Sequence, residues 1–234
     1  MADLEIFPED WDRALAVVAH PDDMEYGASS AVARWTAQGK RIAYLLVTRG
    51  EAGIDSMSPT EVIAARAGEQ ERSCAAVGVE TLEFLDHPDG LVVEGVELRR
   101  DLAAAIRRHR PDVLLTINHH ESWGGPSWNH ADHRAVGRAL LDAARDAGNR
   151  WLFPDAGEPH GPRFVAVNAS PSCTHYVDVS DTLDAGIASL RCHELYLSAL
   201  GGDHDPDAFL RDNARHFGEQ AGVEYATAFE VIGV

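Results

Sequence analysis

Basic residues are scarce in this chain of 234: 20 lysines and arginines stand against 38 aspartates and glutamates, a formal net charge of −18. That balance speaks against nucleic acid or an anionic membrane as partner, since both are polyanions. It also works against a heavily phosphorylated substrate, unless a local basic pocket overrides the global field. Cysteine is scarcer still. Cys74, Cys173 and Cys192 are an odd, scattered set that fits neither a disulfide framework nor a four-cysteine zinc site. No apolar run reaches about 18 residues, so no membrane span is expected. The first residues, Met1 to Glu5, lack the basic and apolar segments of a signal peptide, which makes the cytoplasm the expected location. No Gly-x-Gly-x-x-Gly follows the first apolar run, which weighs against a nucleotide-binding module. Repeats and low-complexity linkers are missing too, and residues 1–234 read as one domain.

What the chain does have is alternation. Leu15 to Ala19 is a short run of small and β-branched apolar residues, the pattern of a buried parallel strand. A helix is expected over 27–38, with Ala28, Ala31, Val32 and Trp35 on one face, then a strand over 42–47. Pro59 opens a long helix to about Val77, closed by Gly78. A strand over 82–85, a helix over 98–108, a strand over 112–117 and an Ala-rich helix over 135–147 follow. Two further strands, 164–168 and 176–179, precede a helix from Thr182 to Leu200 with Asp181 as its cap. After Gly201 come an Asp-rich turn (203–207) and a peripheral strand near 228–232. This predicts a Rossmann-like α/β fold: a mostly parallel sheet with helices on both faces.

The first strand stops at His20-Pro21-Asp22-Asp23. Pro21 cannot donate to a sheet ladder and biases His20 toward extended backbone, so the chain leaves the sheet there. An imidazole and two carboxylates thus stand at the carboxyl end of a strand, where open α/β sheets bind ligands. Glu25 follows closely. The same tetrapeptide also reads as a helix cap and a loop histidine. A parallel sheet brings other strand ends to the same edge, and their loops carry Glu51, Asp89 and His130-Ala131-Asp132-His133. His130 and His133 lie three apart at a helix start and can face one point. With His20 and Asp23, one of them completes a two-histidine, one-carboxylate ligation suited to catalytic zinc with one position open. Asp89 reads equally as a turn residue before Gly90.

Together, His20-Pro21-Asp22-Asp23 with Glu25 and Gly27, Thr48-Arg49-Gly50-Glu51-Ala52-Gly53, Asp89-Gly90 and His130-Ala131-Asp132-His133 resemble the PIG-L (LmbE-like) family of zinc-dependent N-deacetylases over roughly residues 13 to 200. The resemblance implies one Zn²⁺ per chain held by His20, Asp23 and His133. It implies Asp22 as general base, His130 as oxyanion stabiliser that also helps protonate the leaving amine, and Asp132 as the residue orienting His130. Arg66 and Asp89 match positions that hold sugar hydroxyls, and Glu51 is grouped with them as substrate-binding. The chain departs from the family pattern at Met24, at Ser29-Ser30 and at Cys192-His193-Glu194-Leu195-Tyr196. These touch helix packing and the pocket rim and bear on substrate identity more than on chemistry.

The implied reaction is removal of the N-acetyl group from an N-acetylglucosamine-type aminosugar or its conjugate. Bound zinc lowers the pKa of its water from about 15.7 to roughly 7, and a carboxylate beside a ligand can take the proton as that water attacks. A protonated His130, favoured by Asp132, would stabilise the oxyanion. The alternatives are a zinc-dependent amidase acting on a larger amide such as a thiol conjugate, and a non-catalytic metal-binding relative. Subunit number is open, and a homo-oligomer is compatible with the sequence.

Overall fold

The computed structural model describes residues 4–201 and 205–234. Its strands are β1 (Glu5–Ile6), β2 (Arg13–Val18), β3 (Arg41–Leu46), β4 (Thr81–Phe84), β5 (Val113–Ile117), β6 (Phe164–Asn168), β7 (His175–Asp178) and β8 (Ala226–Gly233). The helices are α1 (Ser29–Ala37), α2 (Pro59–Ala76), α3 (Val96–His109), α4 (Ala131–Gly148), α5 (Leu183–Arg191), α6 (Glu194–Leu200) and α7 (Pro206–Ala221). All the strands join one sheet, ordered β1-β7-β8-β6-β5-β2-β3-β4. Every pairing is parallel except those of β8, which runs antiparallel to β6 and β7. The expected α/β architecture is therefore present.

β2 sits near the middle because five of its six residues are buried apolar ones, as a strand covered on both faces requires. Tyr44, Leu46, Val18 and Trp35 belong to the core on one face of the sheet. Leu15, Val17, Leu45, Leu102, Ile106 and Leu140 belong to the core on the other. From β2 the chain builds outward through β3 and β4, then returns to lay β5 on the other side of β2. The strand order thus reverses between β2 and β5. At such a point the loops leaving two adjacent strands part and open a crevice.

Three local expectations are corrected. The helix expected from Thr182 to Leu200 is two helices, broken at Cys192-His193. His193 is wholly buried there, and the turn aims the next helix across α2, where Leu195 N donates to Glu69 Oε1 at 2.6 Å. Asp181 does not cap α5: Thr182 holds the N-cap position, without a side-chain cap bond. The C-terminal strand is not peripheral; β8 lies between β6 and β7. Part of the expected turn (202–204) falls outside the described residues. Asp205 within it is a helix cap instead, accepting from Asp207 N and Ala208 N and starting α7 with Pro206 behind it. β1 was also not anticipated; two residues are too few for a periodic signal.

A candidate metal centre at the switch point

His20 and Asp23 are placed by the end of β2. Asp23 Oδ2 accepts from Ala19 N (3.0 Å) and His20 N (2.9 Å), so the carboxylate closes the strand end and is itself held still. Asp22 lies beside it at φ 88°, a left-handed conformation that a non-glycine residue adopts at some cost in strain. From β5, the loop 118–128 leads to Asn129 and the start of α4, whose first turn carries His130, Asp132 and His133. α4 begins at Ala131 and runs on through the expected 135–147 stretch, so His130 and His133 do lie at a helix start, His130 as N-cap and His133 in the first turn.

These elements bring three ligand atoms together. His20 Nδ1 lies 3.2 Å from His133 Nε2, His133 Nε2 lies 3.1 Å from Asp23 Oδ1, and His20 Nδ1 lies 3.7 Å from Asp23 Oδ2. The hydrogen bonds on the far nitrogens decide what these atoms are. Asn129 Nδ2 donates to Asn118 O (2.7 Å) and His120 O (2.9 Å), so its Oδ1 is the acceptor facing His133 Nδ1 at 3.1 Å. His133 therefore carries its proton on Nδ1 and presents a lone pair at Nε2. His20 Nε2 faces two carboxylates, Asp132 Oδ2 at 3.2 Å and Asp89 Oδ1 at 3.0 Å, and must be a donor. Its Nδ1 lone pair then points at that of His133. Two lone pairs and a carboxylate aimed at one point repel unless a cation sits among them, and the two-imidazole, one-carboxylate donor set suits a divalent ion of the zinc type. Without one, a proton takes that role. Burial opposes a charged His20, yet Asp23, Asp132 and Asp89 hold its imidazole well above the ordinary value. Burial opposes a charged Asp23 too, and His133 and His20 still keep it well below the carboxylate range.

Asp22 differs from its neighbour. Burial pushes its carboxyl up to about 8, against the pull of the Arg66 guanidinium and with the Asp23 charge adding to the rise. Arg66 is itself buried. Its Nη2 lies 3.3 Å from Asp22 Oδ2 and donates to Pro21 O at 2.6 Å, Nη1 donates to Gly50 O at 3.2 Å, and the guanidinium stacks 4.1 Å from the Tyr196 ring centroid. Expected as a sugar contact, Arg66 lines the cleft, with its Nη1 and Nη2 held by the loops around Asp22 and its Nε without a protein partner. Glu51 accepts from Asp89 N at 2.9 Å through Oε1, while its Oε2 has no protein partner. Asp89 does reach the cleft, with Oδ2 tied to Ala52 N at 2.8 Å and Oδ1 facing His20.

The expected pairing of Asp132 with His130 takes another form. The Asp132 carboxylate accepts from Gly90 N (2.7 Å) and Val92 N (3.1 Å) and faces His20, while its backbone N–H donates to His130 Nδ1 at 3.2 Å. His130 is thus the side-chain N-cap of α4. Burial, then the nearby His20 and His133, lower its pKa, with Asp132 a lesser opposing influence. The positive end of α4 acts the same way. A neutral ring accepting at Nδ1 keeps its proton on Nε2, so His130 remains a donor without being an imidazolium.

Asn129 is the residue that sequence reasoning missed. It is buried, and its Oδ1 also accepts from His130 N at 2.8 Å. Its position directly before the histidine pair was the available signal. The candidate metal cluster and Asp22 open into a cavity of about 720 Å³, walled on one side by Trp123, whose ring meets that of His133 edge-on at 5.6 Å. A cavity of this size falls within the range of about 300–1,000 Å³ typical of small-molecule sites.

A histidine–carboxylate cluster in a crevice at the switch point of a parallel sheet defines a candidate metal-binding α/β protein. The family model described as PIG-L, GlcNAc-PI de-N-acetylase, matches residues 15–144, and the chain belongs to that family. Diacetylchitobiose deacetylase of Thermococcus kodakarensis is 27% identical over 227 residues, covering 94% of this chain and 83% of the relative. A 1D-myo-inositol 2-acetamido-2-deoxy-α-D-glucopyranoside deacetylase of Thermomonospora curvata is 27% identical, covering 93% and 90%. The solved structure of N,N'-diacetylchitobiose deacetylase from Pyrococcus horikoshii, complexed with its inhibitor MPG, superposes with a TM-score of 0.85 at 23% identity over 96% of this chain and 85% of that one, a likeness of fold.

Proposed function

We propose that the protein is a metal-dependent hydrolase that removes the acetyl group from an N-acetylated aminosugar or its conjugate. One observation carries this reading. Two imidazole lone pairs and a carboxylate converge on one point beside a second, buried carboxylate held near neutrality. Relatives covering most of both chains are named as deacetylases of acetylated sugar compounds, which supports the same chemistry.

His20, Asp23 and His133 would hold one Zn²⁺, which when bound polarises the amide carbonyl and lowers the pKa of the attacking water. Asp22 takes the proton of that water as its oxygen bonds to the carbonyl carbon. A carboxyl lifted toward neutrality suits this task, because a base is most effective when its pKa lies near the working pH. His130 donates its Nε2 proton in a hydrogen bond to the carbonyl oxygen as charge develops there, and keeps that proton. Because Nδ1 already accepts from Asp132 N, the ring has no second proton to give. The departing amine therefore takes its proton from Asp22, the C–N bond breaks, and acetate and free amine result. Asp89, at the cleft edge, would accept from a sugar hydroxyl.

The test is acetate release from N-acetylglucosamine and its glycosides, before and after chelation and again after zinc is restored. Activity is expected to vanish and return. Equal release from metal-free protein, or Asp22→Asn losing metal while Asp23→Asn retains it, would overturn the reading.

A further inference from the structure

The cavity does not end at the metal cluster. Its far part runs along the carboxyl edge of the sheet, past Asn168 at the end of β6, to the space between β8 and α7. There the character changes. Phe209, Leu210, Ala214 and Phe217 line it from one face of α7, Leu183 from α5 and Ala228 from β8, and Asn213 is the polar interruption on the helix face. Leu210 and Ala214 are buried, and the half-exposed Phe209 ring stands edge-on to Tyr26 at 5.9 Å. The spacing of 210, 214 and 217 is one helical stripe. Nothing in the chemistry above uses this arm.

The order of the parts along the sheet edge says which portion of a sugar reaches it. Asp89 leaves β4, the metal cluster hangs from β2 and β5, and the arm opens beside β6 and β8. On a 2-acetamido pyranose the amide nitrogen is on C2, with the C3 hydroxyl on one side and the C1 substituent on the other. With the amide at the cluster and the C3 hydroxyl toward Asp89, the C1 substituent points along the edge into the arm.

We infer that the substrate carries an apolar group, alkyl or aryl, linked at C1 of the N-acetylated sugar, and that the α7 wall binds it. The inference rests on the deacetylase reading above. The test is a series of alkyl N-acetyl-β-glucosaminides, methyl to hexyl, assayed for kcat/KM on zinc-loaded enzyme. Each methylene buried is worth up to about fourfold, so hexyl is expected to exceed methyl by at least about tenfold. Ala214→Phe, which fills the arm, should bring the hexyl-to-methyl ratio toward one. Phe217→Ala, on the more open part of the wall and removing rather than adding volume, should lower it several-fold. A flat series in the wild type, or a ratio unmoved in both variants with unchanged Tm, overturns the assignment. A parallel series varying the N-acyl chain on the methyl glycoside should fall or stay flat. A rise there with a flat glycoside series would give the arm to the acyl group and overturn the proposal. Should no glycoside release acetate, the deacetylase reading fails. Affinities of the same alkyl series, measured with Asp22→Asn, then decide the arm alone, and must rise with chain length and lose that rise on adding Ala214→Phe.

Discussion

The two walls of the cleft are built on different principles. Around the candidate metal cluster the polar side chains are tied in place: Asp23 to the end of β2, Asn129 to both histidines and two carbonyls, Asp132 to the 90–92 loop and His20, Arg66 to two loops and a ring. On the α7 side the contacts are those of side-chain packing, with Leu183, Leu210 and Ala214 in a small core of their own. A hydrogen-bonded shell tolerates little change, because a buried donor or acceptor left unpaired costs about 1–3 kcal/mol. An apolar wall can change shape for much less when volume is conserved. The comparison teaches that the hydrogen-bonded wall and the apolar wall are built from separable parts of this chain. The family match, residues 15–144, covers the first and stops before the second.

Removing a ligand should break the committed wall outright. His20→Ala and His133→Ala are each expected to take metal content from about one ion per chain to near none, and acetate release with it; elemental analysis beside the assay reads both.

Asp22→Asn should keep metal and fold but lower kcat by about 10²–10⁴-fold, the usual contribution of a positioned base. His130→Ala follows with about 10²–10³-fold, the loss of one oxyanion donor, again with metal retained. Because the Nδ1 partner of His130 is a backbone N–H, Asp132→Asn should act on the metal more than on the oxyanion. Its expected effect is a loss of about 10–100-fold in metal affinity, as for other partners that orient a ligand histidine, and Asn129→Ala should match it. A large kcat loss at full metal loading in Asp132→Asn would restore the direct Asp132–His130 pairing.

The smallest expected effect is a shift in pH dependence. Activity needs Asp22 deprotonated, so kcat/KM falls as pH drops through its pKa. Arg66 lowers that pKa; removing the cation in Arg66→Gln raises it, so the acid limb should move to higher pH. Arg66→Lys keeps the charge and should leave the limb near its wild-type position. A limb unmoved in Arg66→Gln would mean that another group governs it.

What the sequence determined by itself was everything that short-range physics writes into a few adjacent residues. The alternation of apolar runs and amphipathic stretches predicted the α/β sheet, and Pro21 marked where β2 had to end. The histidine and carboxylate pairs at strand ends marked the cluster, and Pro59 marked the start of α2. What tertiary structure decided were choices among partners that lie far apart in sequence. A carboxylate two residues from a histidine has no fixed direction until the fold supplies competitors. Here the N–H groups of Gly90 and Val92, with His20, draw Asp132 away from the His130 ring. Arg66 carries the charge of a substrate clamp, and only the fold shows that its Nη atoms also hold the carbonyls of Pro21 and Gly50. The helix expected from Thr182 to Leu200 breaks at His193 because burial against α2 outweighs continuous helix propensity. β8 reads as an edge strand until β6 and β7 are seen to need a partner between them, and that insertion, with α7 packed over it, is what forms the apolar wall.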